Sequence, residues 1–320
     1  MGVHEHLTVY DGRAVVDFDP ELGELCATGP ELVRELDLAW PVPPEPAWRV
    51  RTYYDGPAFD EVFAEFLDAV DAARVTHLVI GFYGSRGDSF ADPVELLVDA
   101  AGRLPRLRAL FLGDIVSEEH EISWIPQSDI TPLFAAFPGL GRLDVRGGRG
   151  LALRPVSHES LRMLRLESGG LPREIVRAVH ESDLPSLDHL DLWLGSPAYG
   201  GDARIEDLRP ILDGARLPAL RHLGLEDSEI QDEIAQAVAG APIVARLESL
   251  SLGLGLLTDT GAEALLSGQP LTHLELLDLR HHYLSDAMMD RLEDALPDTE
   301  VDLDRARDPE DEWRMIAAAE

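Results

Sequence analysis

Apolar positions recur with a step of 27 residues toward the C-terminal end of the chain. The segments "LRHLGLEDSEIQDEIAQAV" from Leu220, "LESLSLGLGLLTDTGAEAL" from Leu247 and "LELLDLRHHYLSDAMMDRL" from Leu274 superpose in register. Leucines coincide at Leu223, Leu250 and Leu277, and again at Leu225, Leu252 and Leu279. A third apolar position holds Ile230, Leu257 and Leu284. The Leu-x-Leu spacing alternates as a strand with one buried face does. Asp232, Asp259 and Asp286 then stand where a helix N-cap is expected. Ile234 and Val238, Ala262 and Leu265, and Met288 and Leu292 follow at spacings of three and four, which place one apolar stripe on a helix. Each unit therefore reads as strand, turn, helix and return. One unit cannot bury its own apolar face, so neighbours must stack.

Weaker copies of the strand pattern lie upstream. They are Leu78/Ile80, Leu110/Leu112, Leu143/Val145, Leu164/Leu166 and Leu190/Leu192, and Val301/Leu303 follows the final helix. These make nine strands, with "WRVRTYY" from Trp48 a tenth and Phe59, Val62, Phe63, Phe66, Leu67 and Val70 an amphipathic helix behind it. At about 4.8 Å per strand, nine strands span an arc of about 38 Å. The steps between equivalent strands are uneven, from 21 to 33 residues, and the extra residues mostly follow the strands. Insertions on one edge of a repeat array mark a binding face, and "GDIVSEEHEISWIPQSDITP" and "WLGSPAYGGDARIED" carry Trp124 and Tyr199. The predicted organisation is an N-terminal cap over 1–46, a repeat domain over 47–304 and an acidic tail over 305–320. In the cap, "HLTVYDGRAVVDF" reads as a hairpin turning at Asp11-Gly12, and "GPELVRELDLAWPVPPEPAW" as a Pro-rich loop. In the tail, Trp313, Met315 and Ile316 are expected to close the last repeat.

The segment from Leu217 to Leu296, with L-x-x-L-x-L followed by "TDTGAEALL", resembles the ribonuclease-inhibitor-like class of leucine-rich repeats. That resemblance implies an α/β solenoid, a horseshoe with a curved parallel sheet on its concave face and helices on its convex face. The whole chain is similar to an uncharacterised bacterial family of leucine-rich-repeat proteins, on "LFLGDI", "EISWIPQSDITPL", "SDLPSLDHLDLWLG" and "SEIQDEIAQAVAGAPIVARLESL". Some members of that family are encoded beside radical-SAM and ATP-grasp-like proteins, which implies a role in a modification pathway. The chain departs from the general repeat in having no asparagine in the turn, where Ser228, Gly255 and His282 stand instead.

Charge narrows the partners. The chain carries 60 acidic and 27 basic residues for a net charge of -33, every base is arginine, and lysine is absent. Phosphate-backbone binding needs clustered positive charge, and anionic membrane surfaces would repel such a chain. No run of about 18 apolar residues exists to span a bilayer. The start lacks the basic and apolar regions of a secretory signal, so a cytoplasmic protein is expected. Cys26 is the only cysteine, which excludes intramolecular disulfides and multi-cysteine metal sites.

Candidate chemistry is sparse, with no nucleophile-base pairing, cofactor fingerprint or strong metal spacing. The adjacent His281 and His282 align with turn residues of the other repeats and read as structural. Asp114, Glu118, Glu119, His120 and Glu121 read as a solvated acidic loop, and "EISWIPQ" as a loop tucked against the core, with Asp129 or Thr131 capping a helix that starts at Pro132. Residues between the strand leucines project to the concave face. Phe111, Arg142, Asp144, Arg146, Arg165, His189, Asp191, Trp193, His222 and Glu226 are the candidate binding residues there, with Asp278 and Arg280 on the same face, and Trp124 and Tyr199 at the loop edge. His189 and His222 fall at equivalent places on neighbouring strands, about 5 Å apart. Trp193 and Phe111 are expected to stand exposed as anchors for a partner. The reading is a protein- or peptide-binding scaffold with no cofactor and no metal. The alternative is an accessory or enzymatic component of a peptide- or small-molecule-modification pathway.

Overall fold

The structure, a computed structural model, describes residues 4–19, 45–85 and 89–318. A twelve-stranded sheet runs through it in the order β1 (Val9–Tyr10), β2 (Arg13–Asp17), β3 (Ala47–Val50), β4 (His77–Ile80), β7 (Ala109–Leu112), β8 (Arg142–Arg146), β9 (Met163–Glu167), β10 (His189–Gly195), β11 (His222–Ser228), β12 (Ser249–Ser251), β13 (Leu276–Asp278) and β14 (Glu300–Asp302). Within this sheet only the β1–β2 pair is antiparallel. β5 (Gly84–Ser85) and β6 (Ser89–Phe90) form a separate ribbon. Eight α-helices alternate with the strands among the described residues: α1 (Phe59–Ala69), α2 (Pro93–Asp99), α3 (Thr131–Ala136), α4 (Arg173–Glu181), α5 (Ile205–Leu212), α6 (Gln231–Val238), α7 (Asp259–Ser267) and α8 (Asp286–Ala295). No helix among those residues is long and apolar enough to cross a membrane.

The repeat step fixes the register. Leu190, Leu223, Leu250, Leu277 and Val301 are side-by-side partners on β10 to β14. Their strands bury one leucine row after another in a single core with helix residues such as Val176, Leu208, Ile234, Ala262 and Leu292. Each fully buried leucine contributes about 1.5–3 kcal/mol, and the row makes that contribution continuous along the sheet. The amphipathic series after β3 becomes α1, with Phe59, Val62, Phe63, Phe66 and Leu67 buried. The sheet also extends beyond the ten strands read from the sequence. β1 and β2 join it through a hairpin whose turn residues Asp11 and Gly12 have φ of 48° and 73°, as a primed turn requires. The Pro-rich stretch and Cys26 lie outside the described residues, apart from the stretch's last few positions.

Two expectations change. Asp232, Asp259 and Asp286 lie inside the first turns of α6, α7 and α8, not at their N-caps. Thr258 and Ser285 are the N-caps of α7 and α8, and Asp232 and Asp259 hold the following repeat instead. Asp232 accepts from the Thr258 amide at 2.8 Å, the Thr258 hydroxyl at 2.5 Å and the Gly261 amide at 3.1 Å. Asp259 accepts from the Ser285 amide and hydroxyl at 2.8 and 2.7 Å. The tail also departs from its expected role: Trp313 and Met315 are exposed while Ile316 is buried.

The turn histidines are structural, as their alignment implies. His281 has φ of 54°, like Leu254 (66°) and Asp227 (54°) one and two repeats earlier. His282 is fully buried. Its Nδ1 accepts from the Leu284 amide at 3.2 Å, so Nε2 carries the hydrogen donated to the Leu303 carbonyl at 3.1 Å. Burial holds the ring toward its neutral form.

Candidate binding site on the open sheet face

Residues between the strand leucines turn away from the helices and form lateral rows. One row carries Ala109, Arg142, Met163, His189, His222 and Ser249. The next carries Phe111, Asp144, Arg165, Asp191, Gly224, Ser251 and Asp278. A third pairs Arg146 with Glu167 and Trp193 with Glu226.

The N-terminal half of this face is closed by the chain itself. Tyr10 meets Phe111 edge-on with ring centroids 5.8 Å apart and donates its hydroxyl to Asp144 at 2.8 Å. Arg142 covers the Tyr10 ring at 4.8 Å and binds Asp144 at 2.7 Å. Burial pushes the Asp144 carboxyl up, against the pull of Arg142. Arg146 binds Glu167 at 2.7 Å and lies over Phe111 at 5.2 Å. Asp114, read as part of a solvated acidic loop, is fully buried and accepts from Arg49 at 2.9 Å. His6 stands 3.5 Å from Asp114 and 3.4 Å from Glu119, and hydrogen bonding to these two acids raises its pKa to about 9. Asp129 accepts from the Thr131 amide at 2.9 Å, but α3 starts at Thr131 behind Ile130 as N-cap, so neither Asp129 nor Thr131 is the cap expected for a helix starting at Pro132. In the tucked loop ahead of it Ile122 and Ile125 are buried.

Phe111 and Trp193 both face the open side, as their positions dictate, but neither is exposed: each is 2% accessible. Tyr10 covers the first. The second packs with Ile122, Leu254 and Ala318 and lies under the Arg165 guanidinium at 5.5 Å. The tail supplies Ala318 by crossing the strand ends. The Met315 carbonyl accepts from Tyr283 and His281, each at 3.0 Å. Ala317 donates to the Leu254 carbonyl at 2.8 Å and Ala318 to the Asp227 carboxylate at 2.9 Å. Each of the three successive repeat turns thus holds one point of the tail.

Between these covers the face over β9 to β13 stays open. Here the second row drops to Gly224 and Ser251, flanked by the larger Asp191 and Asp278. The result is a shallow basin whose floor is reached at Ser251, while Gly224 lies buried under the Asp191 carboxylate. Arg165, His189, His222 and Arg280 rim the basin, with side chains 23%, 31%, 34% and 26% exposed. The His189 and His222 rings stack at 5.2 Å with 28° between planes, matching the spacing expected from their register. They do not converge on a metal. His189 donates to Asp191 at 2.8 Å, and His222 bonds the Ser249 hydroxyl at 2.8 Å. Among the described residues no cluster of three or more His, Cys, Asp or Glu is arranged to hold a metal. Glu226 hangs over the basin, its pKa raised to about 7 by burial and by the Asp191 charge. Asp191 is held below the usual carboxylate range: burial raises it, but the His189 hydrogen bond and the Arg165 charge outweigh that.

At the loop edge Trp124 is 48% exposed and meets Tyr199 edge-on at 6.4 Å. Of the sequence candidates, Arg165, His189, Asp191, His222 and Glu226 therefore come together, Phe111, Arg142, Asp144 and Arg146 serve internal packing, and Trp124 and Tyr199 form a separate edge pair. Sequence patterning alone does not single out Gly224 and Ser251. Their signal is the repeat alignment, in which they stand small where neighbours carry charge.

No protein-family model matches the sequence, and no curated protein matches it. Among solved structures the fold is that of a mixed α/β protein with a long, mostly parallel sheet. A Bacteroides fragilis protein solved by a structural genomics consortium has 30% sequence identity and a TM-score of 0.76, over 84% of this chain and 77% of that one. The chain belongs to the same family as that Bacteroides fragilis protein.

Proposed function

We propose that the chain is a leucine-rich-repeat horseshoe of the ribonuclease-inhibitor-like type, acting in the cytoplasm as a protein- or peptide-binding scaffold. The partner seats on the open face of β9 to β13 and extends to the loop edge at Trp124 and Tyr199. The solenoid reading is supported by the 27-residue register carried from His222 to Ser249 to Leu276. The binding reading is carried by one observation: the chain covers both flanks of its inner face and leaves between them a shallow basin at Ser251 whose Arg165, His189, His222 and Arg280 rim is part-exposed. A polar floor surrounded by half-buried arginine and histidine side chains suits specific recognition more than bulk apolar burial. The net charge of -33 favours a basic partner over nucleic acid or an anionic membrane.

The test compares captures from extract by three immobilised proteins: wild type, Ser251→Leu and Arg291→Ala. Ser251→Leu fills the basin floor. Arg291→Ala alters an exposed pair with Glu263 on the helical side. A discrete partner retained by wild type and Arg291→Ala and lost by Ser251→Leu is the expected result. Equal retention by all three would remove the basin from the binding surface.

A further inference from the structure

We propose that the basin over Gly224 and Ser251 is a subsite for one cationic side chain, a lysine ammonium or an arginine guanidinium presented by the bound protein or peptide. The inference rests on the binding role proposed above and names the chemistry it would recognise.

Space comes first. Gly224 has no side chain, and a β-carbon placed on it would lie 2.3 Å from Asp191 Oδ1 and 3.4 Å from Glu226 Oε1. The Asp191 carboxylate fills that space itself, so Asp191 Oδ1 and Glu226 Oε1 come together over the buried glycine, and a nitrogen reaching down from the Ser251 side would donate to both.

The acceptors are partly unused. Glu226 is 3% exposed, and its Oε2 has no hydrogen-bond partner. A buried carboxyl oxygen without a donor is costly, and a ligand N–H would remove that cost. The cations already present are committed elsewhere. Arg165 binds Glu167 at 2.8 Å and stays 4.0 Å from Asp191. Arg280 binds Asp278 at 3.1 Å and stays 3.9 Å from Glu226. An anionic ligand would meet Asp191, Glu226 and Asp278, while the two nearby guanidiniums are already ion-paired, to Glu167 and Asp278. A cationic one completes the set.

Protonation agrees with this. Glu226 titrates near 7 because burial and Asp191 oppose its ionisation, while Arg165, Arg280 and the Ser251 hydroxyl only partly offset them. The neighbouring Asp227 also carries a raised carboxyl. A proton thus neutralises the basin in the free protein, and a cationic side chain would replace it. The stacked His189 and His222 rings offer a flat wall along which the methylene stem can lie.

The full-length protein is titrated with four capped pentapeptides, glycine at every position but the centre, which holds arginine, lysine, citrulline or norleucine. Calorimetry is run at pH 6 and pH 8 in two buffers of different ionisation enthalpy. The arginine or lysine peptide should bind about ten-fold or more tighter than the neutral ones, and the better of the two identifies the source. Close to one proton should be released per peptide at pH 6. Affinity should rise about ten-fold from pH 6 to pH 8, following the ionised fraction of a group that titrates near 7. Glu226→Gln should abolish both the proton release and the preference for charge, and Asp191→Asn should weaken the preference, while Ser251→Leu should abolish binding. The inference is overturned if no cationic peptide binds, if cationic and norleucine peptides bind equally, or if Glu226→Gln keeps the preference. Neutral peptides that bind wild type and are lost in Ser251→Leu would overturn it while leaving the basin as a binding site. Peptide binding untouched by Ser251→Leu would remove both.

Discussion

The Thr258 hydroxyl, which caps α7, donates to Asp232 in the preceding repeat at 2.5 Å. The same bond recurs one repeat on, from Ser285 to Asp259 at 2.7 Å. Acid and cap therefore form a lateral ladder that ties each helix start to the next. Asp232→Ala strands three donors at once, two amides and a hydroxyl. It should destabilise by about 2 kcal/mol, at the upper end for loss of a cap, in denaturant melts. Asp232→Asn keeps the oxygen that accepts from the two amides, loses the one that accepts from the Thr258 hydroxyl, and should cost less. Equal losses in the two variants would mean that the carboxylate's charge, not its accepting geometry, holds the ladder.

Leu250 is fully buried between Leu223 and Leu277 on the neighbouring strands. Leu250→Asp places an unpaired charge in that row and should cost several kcal/mol, about 3–5. A variant that melts like wild type would disprove the stacking of the repeats.

The sequence made the sheet legible because leucines at a fixed step leave one register open to each strand. It also put Arg165, His189, Asp191, His222 and Glu226 on one face, since strand alternation assigns faces. What alternation cannot give is coverage. Phe111 and Trp193 were assigned the correct side, yet what lies over them comes from Tyr10, Ile122 and Ala318, distant in the chain and outside the repeat. The basin was missed for a related reason: charged residues draw attention, whereas Gly224 and Ser251 matter through what they lack.

Trp193 is accordingly a packing residue. Its ring is enclosed by Ile122, Leu254 and Ala318, with Arg165 stacked on it. Trp193→Ala should cost about 3–5 kcal/mol, the range for a buried large-to-small change, and should loosen the tail. Denaturant melts give the first effect. Faster amide exchange at Ala317 and Ala318 gives the second. Stability within error of wild type would return Trp193 to the surface.

Asp227 links the tail to pH. Its side chain is fully buried, accepts from the Ala318 amide, and leaves Oδ2 without a partner. Burial raises its pKa to about 8, with the Glu226 charge adding to the rise and the Ala318 and Ala317 amides opposing it. The folded pKa lies above the unfolded value near 3.9, so between these limits the native state binds the extra proton. Its contribution to stability is then greatest at the acid end and falls as pH climbs toward 8. Asp227→Asn mimics the protonated acid at every pH. The stability of Asp227→Asn relative to wild type should therefore increase from pH 5 to pH 8, reaching a few kcal/mol. Taking the difference between the two proteins cancels titrating groups away from Asp227, including His6, whose raised pKa acts near 9, whereas Glu226, whose charge acts on Asp227, shapes the curve as it titrates near 7. Denaturant midpoints at pH 5, 6, 7 and 8 measure it. Parallel pH curves for the two proteins would mean that Asp227 is ionised in the native state, and that the tail does not seal it from water.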